Sequence, residues 1–268
     1  MKNAYQEIFL EKAIDWLKKE KYPYLKNHFQ SKKFLKDLER IKKGEPIDYV
    51  IGFSYFLNTK IDLRYKPFIP RDETEYLAQI IINEIDHKNF NKKIKILDLF
   101  AGSGCLGISF LKNIKNCEVH FAEKYKKFLK QIQINLKLNN LEKKKFRLIK
   151  ADVFKGIKEK YDLIVANPPY VGKITSSVKK VIQWEPKEAL LAKNKGLFYI
   201  KKIISEGKKF LKDKGIIYLE FDSWQKKSIE REILKDRAFS YLFLKDQFNK
   251  WRFLKLEKPS CQKTKKMV

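Results

Sequence analysis

Short apolar runs alternate with segments of helical spacing along the chain from Glu73 onward. Strands that alternate with helices pair side by side in a parallel sheet with helices on both faces, so this pattern predicts a doubly wound α/β fold. No helical segment separates the last two runs, which we therefore expect to pair as an antiparallel terminal hairpin. The predicted strands are 94–99, 118–122, 146–150, 163–166, 215–221, 241–244 and 251–256.

The residues before this alternation show a different pattern. Apolar residues recur at helical spacing from Ala4 to about Lys42, which predicts two or three amphipathic helices. Gly44 and Pro46 then interrupt this spacing, and alternating apolar residues on both sides of a turn at Asn58 predict a β-hairpin. The expected division is a small N-terminal helical domain at 1–52, a hairpin linker at 53–72 and the α/β domain at 73–268.

The chain is strongly basic, with 60 Lys and Arg residues against 32 Asp and Glu residues and a formal net charge of +28. Such a surface attracts nucleic-acid phosphates without any motif. Bidentate contacts to phosphates and bases favour arginine, however, and nearly all of these basic residues are lysines spread over every segment. We therefore interpret the charge as a compositional bias. It permits at most weak, nonspecific binding, and nucleic acid is not expected to be required for function.

The N-terminal residues and the cysteines indicate the compartment. The first twenty residues mix charged with apolar positions, so neither a signal peptide nor a membrane span is predicted. Cys105, Cys117 and Cys261 form an odd set without CxxC spacing, which argues against a disulfide framework and a zinc site. We therefore expect a cytoplasmic protein with reduced cysteines, no metal, no membrane contact and a frayed C-terminal tail.

The first predicted strand of the α/β region runs directly into a glycine turn, in "KILDLFAGSGCLGIS". The backbone amides of Gly102, Ser103 and Gly104 can approach a ligand that a side chain there would exclude. Glu123 ends the second strand, where a carboxylate can accept both hydroxyls of a ribose, and Asp152 follows the third strand, where it can meet an adenine amino group. Together these residues predict a nucleoside-containing cofactor.

The glycine turn also distinguishes between classes of cofactor. No Gly-Lys-Ser or Gly-Lys-Thr follows the glycines, which argues against a phosphate-cradling P-loop. Asp98 precedes the turn and is expected to meet the amino end of a methionine moiety, through water or the loop amides. The segment "DLFAGSG" resembles motif I of the class I S-adenosylmethionine-dependent methyltransferases. That resemblance implies their Rossmann-like sheet of seven strands with an antiparallel terminal hairpin, and S-adenosyl-L-methionine as cofactor.

The fourth predicted strand ends in "NPPY", residues 167–170. In class I methyltransferases this motif resembles that of enzymes that methylate a planar, weakly nucleophilic nitrogen. The side-chain oxygen of Asn167 and the backbone carbonyl of Pro168 can each accept one N–H, which would hold such a nitrogen in line with the methyl donor. Tyr170 can stack on the planar group. We expect no general base, because a sulfonium is a good leaving group, and hence no catalytic role for His28, His87 or His120.

Segments outside the cofactor site separate a glutamine amide from a nucleobase. "GEPIDYVIGFSYF", "FIPRDETEYL", "VANPPY", "WEPKEALLAKNKGL" and "LEFDSWQ" resemble, in order and spacing, segments of the release-factor glutamine methyltransferase family (PrmC/HemK). Members of that family methylate the glutamine of the Gly-Gly-Gln motif in peptide chain release factors. The resemblance covers nearly the whole chain, and with it we expect the domain at 1–52 to dock this protein substrate.

The family resemblance also implies which residues of this chain form the site. The catalytic residues would be Asn167 and Pro168. The substrate glutamine would bind Asn167, Pro168, Pro169 and Tyr170. The cofactor would bind Asp98, Phe100, Ala101, Gly102, Ser103, Gly104, Glu123, Asp152, Val153 and Asn167.

Two positions depart from the family pattern. Family members usually have glycine in place of Phe100 and often a tryptophan in place of Val153, so aromatic stacking on the adenine would be absent or supplied elsewhere. The turn "DLFAGSGCLG" is more similar to that of ribosomal-RNA guanine methyltransferases, although those enzymes typically end their fourth strand on Asp-Pro-Pro, not Asn-Pro-Pro, and lack a segment like "PRDETE". An RNA or DNA base methyltransferase using the same pocket therefore remains the alternative. A noncatalytic scaffold is a third hypothesis.

The segment "PRDETE" has two possible interpretations. It can be a capped helix start, or Arg71 and Glu75 can shape the entrance of the cofactor site.

Overall fold

A computed structural model describes residues 2–87, 92–236 and 238–259 of the chain. In these residues the α-helices are α1 (Lys2–Lys21), α2 (Lys32–Lys42), α3 (Ile47–Ile51), α4 (Asp72–His87), α5 (Cys105–Asn113), α6 (Lys126–Leu138), α7 (Ser176–Ile182), α8 (Phe198–Glu206) and α9 (Lys226–Asp236). The strands are β1 (Phe53–Phe56), β2 (Thr59–Asp62), β3 (Ile94–Leu99), β4 (Cys117–Glu123), β5 (Phe146–Lys150), β6 (Tyr161–Ala166), β7 (Leu211–Glu220), β8 (Ser240–Lys245) and β9 (Trp251–Glu257).

The last seven of these strands form one sheet in the order β5-β4-β3-β6-β7-β9-β8. The strands from β5 to β7 in this order are parallel, whereas β9 pairs antiparallel with both β7 and β8. The predicted doubly wound sheet with an antiparallel terminal hairpin is therefore confirmed. β7 begins at Leu211, ahead of the predicted start at Gly215. Its pairing with β6 shifts register, because Tyr161 is opposite Leu211 and Leu163 is opposite Ile216, so the extra residues of β7 form a β-bulge.

Side chains of the central strands alternate between two apolar cores. Ile96 of β3 belongs to the core that contains residues of α4 and α5, whereas its neighbour Leu97 belongs to the core that contains residues of α8 and α9. Successive residues of a strand point to opposite faces, so a strand covered by helices on both faces needs apolar side chains throughout. This double burial accounts for the nearly continuous apolar runs that predicted these strands.

The helices at the N terminus enclose a smaller apolar core of their own, around Leu17 and Phe34. The β1–β2 hairpin follows them, with its turn at Leu57 and Asn58. A hydrogen bond of 2.8 Å from the Asp62 amide to Asn135 Oδ1 joins the end of this hairpin to α6. The predicted N-terminal helices are therefore present beside the α/β sheet. Their role in docking a substrate stays a prediction.

Neither a membrane-spanning helix nor a metal-binding cluster occurs in the part of the chain that the structure describes. Cys105 and Cys117 are buried free thiols. Burial raises the pKa of the Cys105 thiol to about 12 and that of the Cys117 thiol to about 11, so both stay protonated at neutral pH. Cys261 and the tail from residue 260 onward lie outside the described residues.

Candidate active site

A cavity opens at the carboxyl ends of the central strands, between β3 and β6, where the strand order changes direction. Ligands of open α/β sheets bind at this kind of switch point. The space within its walls is about 950 Å³, a volume that includes open solvent. The predicted cofactor residues that line it are Asp98, Phe100, Ala101, Gly102, Ser103, Glu123, Asp152, Val153 and Asn167.

The glycine turn after β3 forms the floor of this cavity. Gly102 and Gly104 have φ angles of +54° and +82°, a left-handed conformation that favours glycine. Gly104 precedes the first residue of α5 and lies behind the lining, where an added Cβ would approach Ile132 to 3.2 Å. The turn can therefore follow a ligand closely with its backbone, as the sequence predicted.

Two buried carboxylates lie at the ends of neighbouring strands. Glu123, at the end of β4, accepts hydrogen bonds from the amides of Gly102 at 3.0 Å and Tyr125 at 2.8 Å. Asp98, near the end of β3, accepts one from the amide of Gly107 at 2.9 Å. Burial raises the pKa of Glu123 above its usual range and that of Asp98 to about 7. A ligand that donates hydrogen bonds into the cavity would therefore compensate for the burial of these acids.

Asp152 and Val153 lie on the rim of the cavity beyond β5. The carboxylate of Asp152 is half exposed and pairs with Lys124 at 3.0 Å, so it can exchange this surface partner for a ligand amino group. Val153 is buried and has a φ angle of +54°. Asp152 and Val153 therefore line the same cavity as the glycine turn.

Aromatic rings that the sequence analysis did not identify also line the cavity, from Tyr125, Phe128 and Tyr199. Phe100 packs edge-on against Tyr199, with ring centroids 5.2 Å apart. Tyr199 comes from the first turn of α8, far from the glycine turn in sequence. Phe100 and Tyr199 thus give the cavity an aromatic wall that does not depend on Val153.

The backbone of Phe100 has a conformation that favours glycine. Its φ angle is +66°, which a residue with a Cβ adopts only at a cost of about 1–2 kcal/mol. We expect Phe100→Gly to have a higher free energy of unfolding than Phe100→Ala by about 1 kcal/mol, because neither variant keeps the ring and only alanine retains the strain.

Urea unfolding of the two Phe100 variants measures this difference. Ala101 is the matched control, because its φ is not positive and Ala101→Gly should lower the free energy of unfolding relative to wild type. A less stable glycine variant than alanine variant at Phe100 would contradict the proposed strain.

The NPPY segment follows β6 and meets the same cavity. Asn167 and Pro169 line it, whereas Pro168 is buried behind them. The side-chain Nδ2 of Asn167 donates a hydrogen bond of 2.9 Å to Thr74 Oγ1, which leaves the amide oxygen for another partner. Tyr170 does not line the cavity, and its hydroxyl donates to Glu220 at 3.0 Å. The structure therefore brings Asn167 and Pro169 to the cofactor residues and places the Tyr170 hydroxyl against Glu220.

The chain after NPPY loops out and returns to it. Gln225 holds the two ends of this loop together, because its Nε2 donates to the carbonyl of Tyr170 at 3.0 Å and to that of Lys195 at 3.3 Å. Gly196 passes so close that an added Cβ would lie 1.9 Å from the carbonyl oxygen of Tyr170. The backbone of NPPY is thus packed against the end of the loop.

We expect Gly196→Ala to lower the free energy of unfolding by about 3 kcal/mol or more and to reduce activity, because the loop must move away from Tyr170. Gly44 is the matched control, since its φ of +89° is similar to the +80° of Gly196 but an added Cβ there meets nothing within 4 Å. Gly44→Ala should cost only about 1 kcal/mol. Denaturant unfolding of both variants checks this, and equal losses would contradict it.

Arg71 lies at the mouth of the cavity and pairs with the buried carboxylate of Glu185. Glu185 also accepts the amide of Ile69 at 3.1 Å. Burying a carboxylate is costly without such partners, so this pair connects the segment before α4 to the loop after NPPY. Of the two residues considered for the mouth, Arg71 lines the cavity and Glu75 does not.

The cavity fits the predicted cofactor in its donors and acceptors. A nucleoside with a charged amino acid moiety would offer ribose hydroxyls to Glu123, an ammonium group towards Asp98 and a planar base for the aromatic wall, all of which line the cavity. The positive φ of the glycines lets the backbone approach such a ligand closely. Phosphate groups would be repelled by two buried carboxylates, which argues against a nucleotide.

Known proteins resemble this chain in sequence and in fold. A family model described as "Methyltransferase small domain" matches residues 71–190. A release factor glutamine methyltransferase of Borreliella burgdorferi is 36% identical over 214 residues, covering 80% of this chain and 73% of that protein. A release factor glutamine methyltransferase of Buchnera aphidicola is 34% identical over 241 residues, covering 89% of this chain and 82% of that protein.

A solved structure supports the fold. The ribosomal protein L11 methylase of Lactobacillus delbrueckii superposes with a TM-score of 0.51 and 20% identity, over 74% of this chain and 84% of that chain. The sheet, the cavity at its switch point and the sequence relatives therefore indicate the same class of enzyme, a methyltransferase. The chain belongs to the release factor glutamine methyltransferase family and is an S-adenosylmethionine-dependent methyltransferase.

Proposed function

We propose that this enzyme methylates the side-chain amide nitrogen of the glutamine in the Gly-Gly-Gln motif of peptide chain release factors. The observation that carries the proposal is the orientation of Asn167 at the cofactor cavity. Its Nδ2 is committed to Thr74, so its oxygen is available to accept an N–H from a substrate amide. The names of the relatives give the same substrate.

The difficulty of this reaction lies in the amide nitrogen, whose lone pair is delocalised into its carbonyl. S-Adenosylmethionine, when bound, supplies a methyl group on a positively charged sulfur that leaves as a neutral thioether. Asn167 Oδ1 and the backbone carbonyl of Pro168 would each accept one N–H of the amide and so turn its nitrogen towards the methyl carbon. The two prolines restrict φ and hold this carbonyl in place. The methylated nitrogen then loses its extra proton to water.

Release factors would meet the enzyme in the cytoplasm and dock through the helical region at 1–52, which has a core of its own beside the catalytic sheet. A base methyltransferase with the same pocket is the alternative. The sequence relatives do not favour it, because those reported above carry the name of the glutamine enzyme.

Transfer of a labelled methyl group to a purified release factor tests the proposal. We expect label on the wild-type factor and none on a factor whose Gly-Gly-Gln glutamine is replaced by alanine. Ribosomal RNA offered in the same assay should stay unlabelled. Label on the RNA, or equal label on both release factors, would overturn the proposal.

A further inference from the structure

A chain of hydrogen bonds leads from the interior of the protein to the amide of Asn167. Glu220, at the end of β7, accepts a hydrogen bond of 2.7 Å from Thr74 Oγ1, and Thr74 Oγ1 accepts one of 2.9 Å from Asn167 Nδ2. The second carboxylate oxygen of Glu220 accepts the hydroxyl of Tyr170 at 3.0 Å. Glu220 is 2% exposed and Thr74 is 3% exposed, and Glu220 does not line the cavity.

The chemistry of the carboxylate determines the direction of every bond in this chain. An ionised carboxylate can only accept, so Thr74 must donate its single hydroxyl proton to Glu220. Thr74 Oγ1 can then only accept from Asn167, which therefore turns its NH₂ group towards Thr74. The carboxamide of Asn167 is planar, so its oxygen points away from Thr74 when its NH₂ group points towards it. Reversing the first bond would reverse the last, and the amide would present a donor where the reaction needs an acceptor.

We propose that Glu220 and Thr74 are positioning residues that hold the amide oxygen of Asn167, rather than its NH₂ group, towards the substrate nitrogen. The inference rests on the proposed function for the identity of the group that meets Asn167. Thr74 belongs to the "PRDETE" segment and Glu220 to the "LEFDSWQ" segment, so this arrangement gives both segments a role in the chemistry.

The charged and titratable groups that face Glu220 are Arg252 on β9, Glu73 on α4 and the hydroxyl of Tyr170. Burial raises the pKa of Glu220 to about 6, against the opposing effects of the two hydrogen bonds and Arg252. The group is therefore ionised at neutral pH and becomes protonated as the pH falls through about 6. A protonated carboxyl can donate to Thr74, which releases the hydroxyl proton of Thr74 for the oxygen of Asn167.

Methyl transfer by the full chain to a release factor provides the first test. Thr74→Val removes the hydroxyl, and Glu220→Gln introduces a donor in a side chain of the same shape. We expect each to lower kcat by about tenfold to a hundredfold, with KM for the release factor nearly unchanged. Thr74→Ser keeps the hydroxyl and should retain most of the activity.

Two further comparisons separate positioning from a merely structural role. In the Asn167→Ala background, Glu220→Gln should cause no additional loss of kcat, because the group on which it acts is gone. The wild-type rate should fall as the pH drops through about 6, and Glu220→Gln should lose this pH dependence. A full additional loss in the Asn167→Ala background, or unchanged kcat in Thr74→Val, would overturn the proposal.

A measurement without substrate keeps this test independent of the proposed function. The side-chain NH₂ resonances of Asn167 in a ¹⁵N spectrum can be assigned by their absence in Asn167→Ala. They should shift in Glu220→Gln and Thr74→Val and stay in place in Thr74→Ser. Unshifted resonances would overturn the positioning role whether or not the release factor is methylated. Shifted resonances with no methylation by wild type would leave the positioning intact and contradict only the proposed substrate.

Discussion

Asn167→Ala is expected to lower kcat for methyl transfer, measured at saturating cofactor, by at least about a hundredfold. The variant removes the acceptor that would hold the amide N–H and leaves the backbone of the following prolines unchanged. Without this contact the substrate nitrogen can rotate away from the methyl carbon, and small misplacements of a reacting atom are costly. Single-turnover transfer from labelled cofactor to a release factor measures the change directly.

Asn113→Ala is the matched control for this substitution. Asn113 is the last residue of α5, where its side chain donates to the carbonyl of Ser109 at 2.8 Å, outside the cavity lining. The same amide is removed in both variants, so a loss of activity caused by general destabilisation would appear in both. A rate for Asn167→Ala within about threefold of wild type would show that the amide does not position the substrate.

The central strands were predictable because they are buried on both faces. β3 has the predicted bounds, since such a strand stands out from its polar flanks. The edge strand β5 also has the predicted bounds, although its residues are half-buried or exposed. β6 begins two residues before the predicted start, at Tyr161, because Asp162 interrupts the apolar run. The aspartate is tolerated there because it accepts from Lys212 Nζ at 2.6 Å and from the amide of Lys95 at 2.8 Å. These partners are distant in sequence and leave no local signal.

The cofactor residues could be predicted because topology brings them together without further information. Gly102 and Asp152 follow the ends of β3 and β5, Glu123 is the last residue of β4, and the carboxyl ends of parallel strands meet at one edge of the sheet. Knowledge of the strand ends was therefore sufficient to predict that these residues share one cavity. Their roles towards the cofactor stay predictions.

The residues that orient Asn167 could not be predicted in this way. Thr74 precedes Asn167 by 93 positions, and Glu220 follows Thr74 by 146, so only the packing of α4 against the ends of β6 and β7 brings them together. Thr74 lies in the "PRDETE" segment, for which the sequence allowed a capped helix start or a cofactor mouth, and Glu220 lies in a segment that carried only the family resemblance. Tyr199 was missed for the same reason, because nothing near it in sequence indicates a cavity.

Tyr170 has a contact in the structure that its place in the NPPY motif did not predict. Stacking on the substrate was expected from its place in NPPY, but the hydroxyl is hydrogen bonded to Glu220 and the ring packs with the core beneath the cavity. Burial and the charge of Glu220 raise the pKa of Tyr170 well above its usual range. Stacking therefore stays a prediction, and in this structure the residue supports the carboxylate that directs Thr74.

Glu123→Ala is expected to weaken S-adenosylmethionine binding by about a hundredfold, since two hydrogen bonds to a charged acceptor contribute about 3 kcal/mol or more together. Glu123 is 6% exposed at the end of β4, where the ribose hydroxyls of a bound cofactor would replace water as donors. Isothermal titration of the purified variant with the cofactor measures the change in Kd without any substrate, so the result is independent of the proposed reaction.

The control for Glu123 comes from the opposite end of the same strand. Glu118 pairs with Lys93 and His120 near the start of β4, away from the cavity lining, and Glu118→Ala removes an equal charge. Its Kd should stay within about threefold of wild type, because surface charges are screened over this distance. Glu123→Ala also removes the acceptor for the amides of Gly102 and Tyr125, so the turn loses support even before the cofactor binds. Glu123→Gln keeps only one acceptor oxygen for these two amides and loses the charge, so its Kd should rise as well. An unchanged Kd in Glu123→Ala would place the ribose elsewhere in the cavity.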